Sequence, residues 1–201
     1  KYNWKTKNIH VKSRTILIRV KSRLAAFHIR FSQKMNRLIQ IINEGFVSIE
    51  MDLSKNPRWY IDSIPSEAGW YFIETTTPID TLRKVGKPKE KGNYNIPQKI
   101  IDSQYLINSN LSIKQIGNQP YVVYSGEAAN LMNRAREHSF GGKGTGCLAI
   151  EKYRSLCSYK WCFSYVTCRT YSPESGGDKG LRNLGEQIWR SQNGWPVLCS
   201  K

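Results

Sequence analysis

The sequence predicts an α+β fold in which three short strands are flanked by helices. The chain has 201 residues, of which 39% are hydrophobic, enough to bury one core of ordinary size. Three segments rich in aromatic and β-branched residues are separated by Pro and Gly loop signals and by stretches of strong helix formers. We therefore expect one domain over residues 61–201, preceded by a basic helical extension over residues 1–60.

The chain is strongly basic, and its charge is unevenly distributed. Lys and Arg number 31 against 15 Asp and Glu, which gives a formal net charge of +16. The first 48 residues contain 11 basic side chains and one acid, Glu44, so they carry +10 of that total. Such a charge predicts a polyanionic partner. Nucleic acid is favoured over an acidic membrane because no hydrophobic anchor accompanies the charge.

An amphipathic helix is predicted within this extension, because apolar residues recur at steps of three and four between residues 16 and 42. The apolar stripe consists of Ile16, Val20, Leu24, Phe27, Phe31, Met35, Leu38 and Ile42. A basic stripe of the same period consists of Arg19, Arg23, Arg30, Lys34 and Arg37. We expect the basic stripe to contact DNA phosphates, and the alternative is an ordinary solvated helix face.

The remaining elements follow in a definite order. The predicted strands are residues 70–75, 121–124 and 160–168. The predicted helices are residues 127–139, closed by the glycines of 141–146, and residues 181–192. Between the first two strands, residues 76–120 are polar and punctuated by Pro and Gly, which predicts an inserted loop region with one short helix near residues 97–107.

The insertion carries a second basic cluster, formed by Arg83, Lys84, Lys87, Lys89 and Lys91. Residues 93–95, Asn-Tyr-Asn, follow directly. Basic groups can position a DNA backbone, while amides and aromatic rings can contact base edges. We expect this cluster to bind DNA, and a disordered polar loop is the alternative.

The helix after the second strand sets an arginine and a histidine on one face, since Arg134 and His138 are four residues apart. A guanidinium can hold two phosphate oxygens and stays charged at any working pH. An imidazole can donate to the same group or transfer a proton. Taken alone, such a pair is typical of an exposed helix, so the segments in front of it decide its meaning.

Two tripeptides in front of this helix resemble a known nuclease signature. Gly69-Trp70-Tyr71 on the first strand and Tyr124-Ser125-Gly126 at the end of the second are similar to the two halves of the GIY-YIG signature. Arg134 follows the second tripeptide by eight residues and His138 by twelve, where that family has its catalytic Arg and a frequent His. Glu186 matches the family's metal-binding Glu in order and approximate distance. The chain most resembles the type II restriction endonucleases of the GIY-YIG superfamily.

The resemblance covers about residues 69–192 and implies a three-stranded antiparallel sheet flanked by helices, from which residues 76–120 depart as an insertion. It implies a Mg²⁺-dependent endonuclease, for which Mn²⁺ is expected to substitute, that hydrolyses phosphodiester bonds of double-stranded DNA at specific sequences. Two other functions remain open: a nuclease that recognises branched repair or recombination structures, and a non-catalytic DNA-binding protein with this fold. RNA remains open as a substrate.

The candidate site residues are Tyr71, Tyr124, Arg134, His138 and Glu186. Tyr71 is the candidate general base, acting directly as a phenolate or through His138. Tyr124 would position water or phosphate. Glu186 would hold one Mg²⁺, with waters and phosphate oxygens as the other ligands. For each tyrosine, the alternative is a core aromatic on a strand.

Other patterns exclude further classes of protein. No apolar run approaches the roughly 20 residues that span a membrane. Five cysteines without a CxxC pair argue against a disulfide framework and favour a cytoplasmic location. Residues 141–146 are glycine-rich but lack Walker spacing, so no nucleotide cofactor is expected. Because one such site cuts one strand per event, double-strand cleavage predicts a homodimer on a palindromic DNA site.

Overall fold

The structure is a computed structural model that describes residue 26 and residues 28–54, 56–86, 94–142, 146–171 and 178–199. Two compact units are distinguished, one ending at Leu38 and one beginning at Ile39. Among the described residues, no helix combines the length and the apolar character needed to cross a membrane. The five cysteines all lie in the described part and are all unpaired.

The predicted N-terminal helix is present over residues 28–44 and is called α1. In the first unit, the basic side chains of Arg30, Lys34 and Arg37 are exposed. Phe31 of the apolar stripe is exposed as well, whereas Leu38 is buried. The earlier members of both stripes lie outside the described residues: Ile16, Arg19, Val20, Arg23, Leu24 and Phe27.

Four strands form one antiparallel sheet in the order β1-β4-β2-β3. Their bounds are β1 Val47–Glu50, β2 Gly69–Thr75, β3 Tyr121–Ala128 and β4 Trp161–Thr167. The three predicted strands correspond to β2, β3 and β4, and the antiparallel arrangement with flanking helices is confirmed. The prediction of three strands was wrong, because β1 from the preceding segment pairs along β4, with Val47 opposite Tyr165. At four residues and with Val47 half exposed, β1 is too short to show an apolar alternation.

The second strand along the site is longer than predicted, and the helix after it starts later. β2 pairs with β3 so that Gly69 lies opposite Ala128 and Tyr71 opposite Gly126. Residues 127 and 128 therefore continue the strand, although their helix propensity favoured a helix. Helix α6 covers Leu131–Phe140, and Asn130 caps it by accepting a hydrogen bond from the Asn133 amide at 2.9 Å.

Seven further short or medium helices surround the sheet in the described residues. One of them is α6, whose bounds are given above. The other six are α2 Trp59–Ser63, α3 Ile79–Lys84, α4 Ile96–Asp102, α5 Gln104–Asn108, α7 Cys168–Tyr171 and α8 Lys179–Asn193. Two 3₁₀ turns, Ile150–Lys152 and Arg154–Leu156, precede β4. The last predicted helix corresponds to α8.

The insertion is more ordered than its composition predicted. Three helices, α3, α4 and α5, replace the expected loop with one short helix, and the side chains of Leu82, Ile96 and Ile100 are completely buried. Each helix contributes only one or two core residues, too few for a detectable period. Tyr94 donates to the Leu198 carbonyl, and Asn95 caps α4, so both have structural partners instead of free polar groups.

The two faces of the sheet carry different elements. Tyr71 belongs to the core beside Leu131 and Ala135 of α6. Its neighbours on β2 point the other way, since side chains alternate along a strand. There, the Trp70 indole donates to the Arg182 carbonyl of α8 at 2.8 Å. Helix α6 thus packs on one face of β2 and α8 on the other.

Candidate functional site

Tyr71 lies at the centre of the candidate site. It is only 2% exposed, and its hydroxyl oxygen accepts a hydrogen bond from Arg134 Nε at 2.9 Å. The same oxygen lies 2.9 Å from His138 Nε2, and His138 is completely buried. Arg134 and His138 thus share the inward face of α6, not an exposed one. Three predicted site residues from two elements therefore meet at one oxygen atom.

The backbone decides which way the hydrogen bond between His138 and Tyr71 runs. The Leu148 amide donates to His138 Nδ1 at 3.2 Å, so Nδ1 has no proton of its own. Burial, with help from Arg134, lowers the pKa of His138 well below its ordinary value, so the imidazole is neutral. A neutral imidazole without a proton on Nδ1 carries it on Nε2. His138 therefore donates to the Tyr71 oxygen.

Two donors on one phenolic oxygen leave a single direction for its own proton. Neither Arg134 Nε nor the protonated Nε2 of His138 can accept that proton. It must point away from both, toward the remaining open side of the hydroxyl. Burial raises the pKa of Tyr71 well above its ordinary value, the charge of Tyr124 adds to this rise, and Arg134 opposes it. At neutral pH, Tyr71 is consequently a neutral phenol held by two donors.

Tyr124 lies beside Tyr71 and shares its arginine. The two rings stack with centroids 6.2 Å apart, and Arg134 Nη2 donates to the Tyr124 hydroxyl at 3.4 Å. Burial raises the pKa of Tyr124 too. Glu137, which the sequence analysis did not single out, forms an ion pair with Arg134 Nη1 at 2.9 Å. The guanidinium is thereby fixed between two phenols and a carboxylate.

Two glycines in the motifs are required by close contacts. A Cβ on residue 126 would lie 2.5 Å from the Tyr71 hydroxyl oxygen, because the phenol crosses the neighbouring strand at that point. A Cβ on residue 185 would lie 2.3 Å from Trp70 Nε1. Gly126 lets the phenol reach its donors, and Gly185 lets α8 approach the sheet.

A cavity is lined by both Tyr71 and the candidate metal ligand Glu186. It is lined by Phe46, Trp70, Tyr71, Ser125, Gly126, Glu186 and Trp189. Glu186 comes from α8, Tyr71 from β2 and Gly126 from β3, so the cavity lies between α8 and these two strands. All five predicted site residues thus belong to one connected group: Tyr71 and Glu186 line the cavity, Arg134 and His138 are hydrogen-bonded to Tyr71, and Tyr124 stacks on its ring.

Arg190 is a member of this group that the sequence analysis missed. It lies one helical turn after Glu186 and forms an ion pair with it, and the two side chains are 9% and 15% exposed. Arg190 Nε also donates to Ser125 Oγ at 2.9 Å and Nη2 to the Ser125 carbonyl at 3.0 Å. In a sequence, such an i, i+4 pair is typical of an exposed helix surface. Only the packing of α8 on β3 distinguishes the Glu186–Arg190 pair from such an exposed pair.

The surroundings of Glu186 fit a cation that brings most of its own ligands. Burial raises the pKa of Glu186, and the Arg190 charge opposes this rise. Within the described residues, no three His, Cys, Asp or Glu side chains cluster as a metal site by themselves. One carboxylate beside a cavity suits Mg²⁺, which keeps several waters and takes its other ligands from phosphate oxygens.

The residues predicted to contact DNA are only partly described. Arg30, Lys34 and Arg37 are exposed on α1, and Arg83 and Lys84 are exposed at the end of α3. Arg83 also pairs with Asp80 at 3.1 Å. The other predicted contacts lie outside the described residues: Arg19, Arg23, Lys87, Lys89 and Lys91.

Comparisons with known proteins provide no relative for this site. No family model matches the chain, and neither a curated protein nor a solved structure matches it.

Proposed function

We propose that the chain is a Mg²⁺-dependent endonuclease of the GIY-YIG type that hydrolyses phosphodiester bonds of double-stranded DNA. One observation carries this proposal: five side chains in the order and spacing of that signature form one connected group drawn from β2, β3, α6 and α8. Tyr124, Arg134 and His138 contact Tyr71, and Tyr71 lines one cavity together with Glu186. The group supplies a hydroxyl held by two donors, a partly buried guanidinium and a carboxylate. Phosphodiester hydrolysis needs these groups to activate water, neutralise charge and hold a cation.

Tyr71 acts on the attacking water directly. The proton on its hydroxyl points away from Arg134 and His138, so it can be exchanged only with a group on the open side. His138 cannot relay that proton, since its Nε2 is a donor. Of the two routes that the sequence left open, the geometry supports the direct one. To act as the base, Tyr71 must first release its own proton to solvent on the side away from these two donors. Arg134 and His138 then stabilise the phenolate through their hydrogen bonds, and the phenolate accepts a proton from the attacking water.

Arg134 and Tyr124 orient the phosphate. The guanidinium stays charged at any working pH, and its bond to Tyr124 keeps the fork beside both phenols. Its ion pair with Glu137 holds it in place before substrate arrives. A phosphate oxygen at Nη2 would meet a donor that is already oriented, which lowers the entropy lost on binding.

Glu186 would hold the cation at the opposite side of the cavity from α6. When bound, Mg²⁺ neutralises charge on the phosphate and lowers the pKa of a coordinated water. The aromatic side chains of Phe46, Trp70 and Trp189 line the cavity, limit its water content and so strengthen charge interactions within it.

The basic surfaces outside the cavity bind the DNA backbone. The exposed Arg30 and Arg37 of α1 and Arg83 of α3 are suited to phosphates, and a sequence-specific restriction enzyme needs such contacts with the DNA backbone. A single cavity of this kind cuts one strand. We propose a homodimer on a palindromic site for a double-strand break.

Supercoiled plasmid incubated with Mg²⁺ tests the proposal. We expect nicked and linear products from the wild-type chain, none with EDTA, and at least about a hundredfold slower cleavage by Glu186→Ala and by Arg134→Ala. Discrete fragments from linear DNA would support sequence specificity, and cleavage only of branched DNA would support a repair enzyme. Binding without cleavage in Mg²⁺ and Mn²⁺ would contradict nuclease activity.

A further inference from the structure

Within the part of the chain that the structure describes, Arg190 makes four contacts, of which one is with Glu186. Its Nε donates to Ser125 Oγ, and its Nη2 donates to the Ser125 carbonyl. Its guanidinium carbon lies 4.7 Å from the centroid of the Trp195 ring. The fourth contact is the ion pair with the Glu186 carboxylate. Ser125 and Trp195 therefore hold the guanidinium through contacts that do not involve Glu186.

The ion pair occupies one of the two carboxylate oxygens of Glu186. Arg190 Nη2 binds Glu186 Oε1, and both side chains are largely buried. A guanidinium and a divalent cation carry charge of the same sign, so they repel each other when both lie next to one buried carboxylate. Binding of the cation at Glu186 must therefore break this pair or weaken it.

We propose that Arg190 is the resident counter-cation of Glu186, and that a divalent cation binds by displacing the guanidinium from this carboxylate. This inference rests on the proposed function, which assigns Glu186 to the cation. Arg190 is thus a positioning residue: it keeps Glu186 charged and oriented toward the cavity, and it weakens cation binding in the free chain. A DNA phosphate adds negative charge to the cavity and offsets the repulsion, so cation and substrate bind together.

Mn²⁺ binding to the full chain, measured by the loss of the free-ion signal in electron paramagnetic resonance, tests this at about pH 8, where a carboxylate is ionised. We expect Arg190→Gln to bind Mn²⁺ about tenfold more tightly than wild type, because one charge-assisted hydrogen bond to the ligand is gone. Glu186→Gln should lose the site. Arg169→Gln is the control, since Arg169 also pairs with a glutamate, Glu67, and neither residue lines the cavity. Its Mn²⁺ affinity should equal that of wild type.

Equal or weaker Mn²⁺ binding by a folded Arg190→Gln would overturn the inference. If that variant does not fold, the wild-type chain decides. Saturating Mg²⁺ should shift the Nε–H resonance of Arg190 in the ¹⁵N spectrum and leave that of Arg169 in place, and an unmoved Arg190 resonance would overturn the inference too.

Plasmid cleavage on the same preparations separates this inference from the nuclease proposal. Tighter Mn²⁺ binding by Arg190→Gln in a chain that never cleaves DNA would support the exchange and contradict the nuclease. Wild-type cleavage, with unchanged Mn²⁺ affinity in Arg190→Gln, would support the nuclease and contradict the exchange.

Discussion

The two sides of the cavity are built in opposite ways. On the tyrosine side, which we define as Tyr71, Tyr124, Arg134 and His138, the candidate groups hold one another through hydrogen bonds. On the carboxylate side, defined as Glu186, Arg190 and Ser125, the candidate ligand is held by an arginine outside the signature. Removal of any one member of the tyrosine side should therefore slow cleavage. Removal of Arg190 from the carboxylate side should instead change the affinity of Glu186 for a divalent cation.

Removal of the Tyr71 hydroxyl is the largest single change available on the tyrosine side. We expect Tyr71→Phe to slow plasmid cleavage by about a thousandfold, since it removes the base and leaves two buried donors unsatisfied. The lost bonds should also destabilise the fold by about 1–3 kcal/mol, measured by urea unfolding.

Tyr121→Phe is its matched control. Tyr121 is also buried, and its hydroxyl donates to the Thr77 carbonyl at 3.1 Å, away from the cavity. It should lose stability but keep its cleavage rate. Equal rate losses in both variants would mean that Tyr71 contributes only to the core.

The close contact across Gly126 gives the next largest effect. Gly126→Ala would place a methyl group 2.5 Å from the Tyr71 oxygen, so the ring has to move away from its donors. We expect about hundredfold slower cleavage and a loss of about 1–3 kcal/mol of stability. At Gly86, no atom of the described residues apart from its chain neighbours lies within 4 Å of a new methyl group, so Gly86→Ala should match the wild type in both measurements. A normal rate in Gly126→Ala would contradict the position of the phenol.

The pH dependence of stability tests the neutral imidazole. The folded chain lowers the pKa of His138 well below its ordinary value of 6.5, so the unfolded chain binds the proton more readily. Stability is therefore complete above about pH 6.5 and falls as the pH drops below it, by up to about 1.4 kcal/mol per pH unit. His138→Gln should flatten this slope in thermal melts between about pH 5 and pH 7. An unchanged slope would show that His138 is not the group responsible.

The basic stripe of α1 should give the smallest effect, and one that is independent of the cavity. Arg30→Ala with Arg37→Ala should reduce the slope of log K against log salt for DNA binding by about 1–2, one phosphate contact for each arginine. Cleavage at saturating DNA should be unaffected. Exposed Lys114 and Arg154 provide a control pair outside both predicted DNA-binding clusters. A similar loss in that pair would mean that charge alone, not this stripe, binds DNA.

The sequence predicted the tyrosine side well because spacing within a helix or strand determines its geometry. Arg134 and His138 share a face of α6 by their separation of four residues, and the predicted strands β2 and β3 bring Tyr71 opposite Gly126. Their burial was not predictable, since an Arg and a His on a helix carry no sign of being inside. The direction of the hydrogen bond depends on the Leu148 amide, a loop group without any sequence pattern.

The features that the sequence did not predict depend on tertiary contacts. From the sequence, Arg190 is typical of an exposed helix residue that pairs with Glu186. Its contacts with Ser125 and Trp195 depend on the tertiary fold and have no sequence pattern. Strand β1 and the three helices of the insertion contribute few core residues each, so no period revealed them. The helix propensity of residues 127 and 128 favoured an early start of α6, but the pairing of β3 with β2 extends the strand through both residues.

The claim that both sides form one catalytic site is tested most directly by a double-mutant cycle. Single-turnover cleavage is measured for wild type, Tyr71→Phe, Glu186→Gln and the double variant. If the two residues act on the same step, the double variant should be no slower than the slower single variant, because groups that act as a unit are strongly non-additive. Rate losses that multiply, or a Glu186→Gln variant that cleaves like wild type, would contradict a single site.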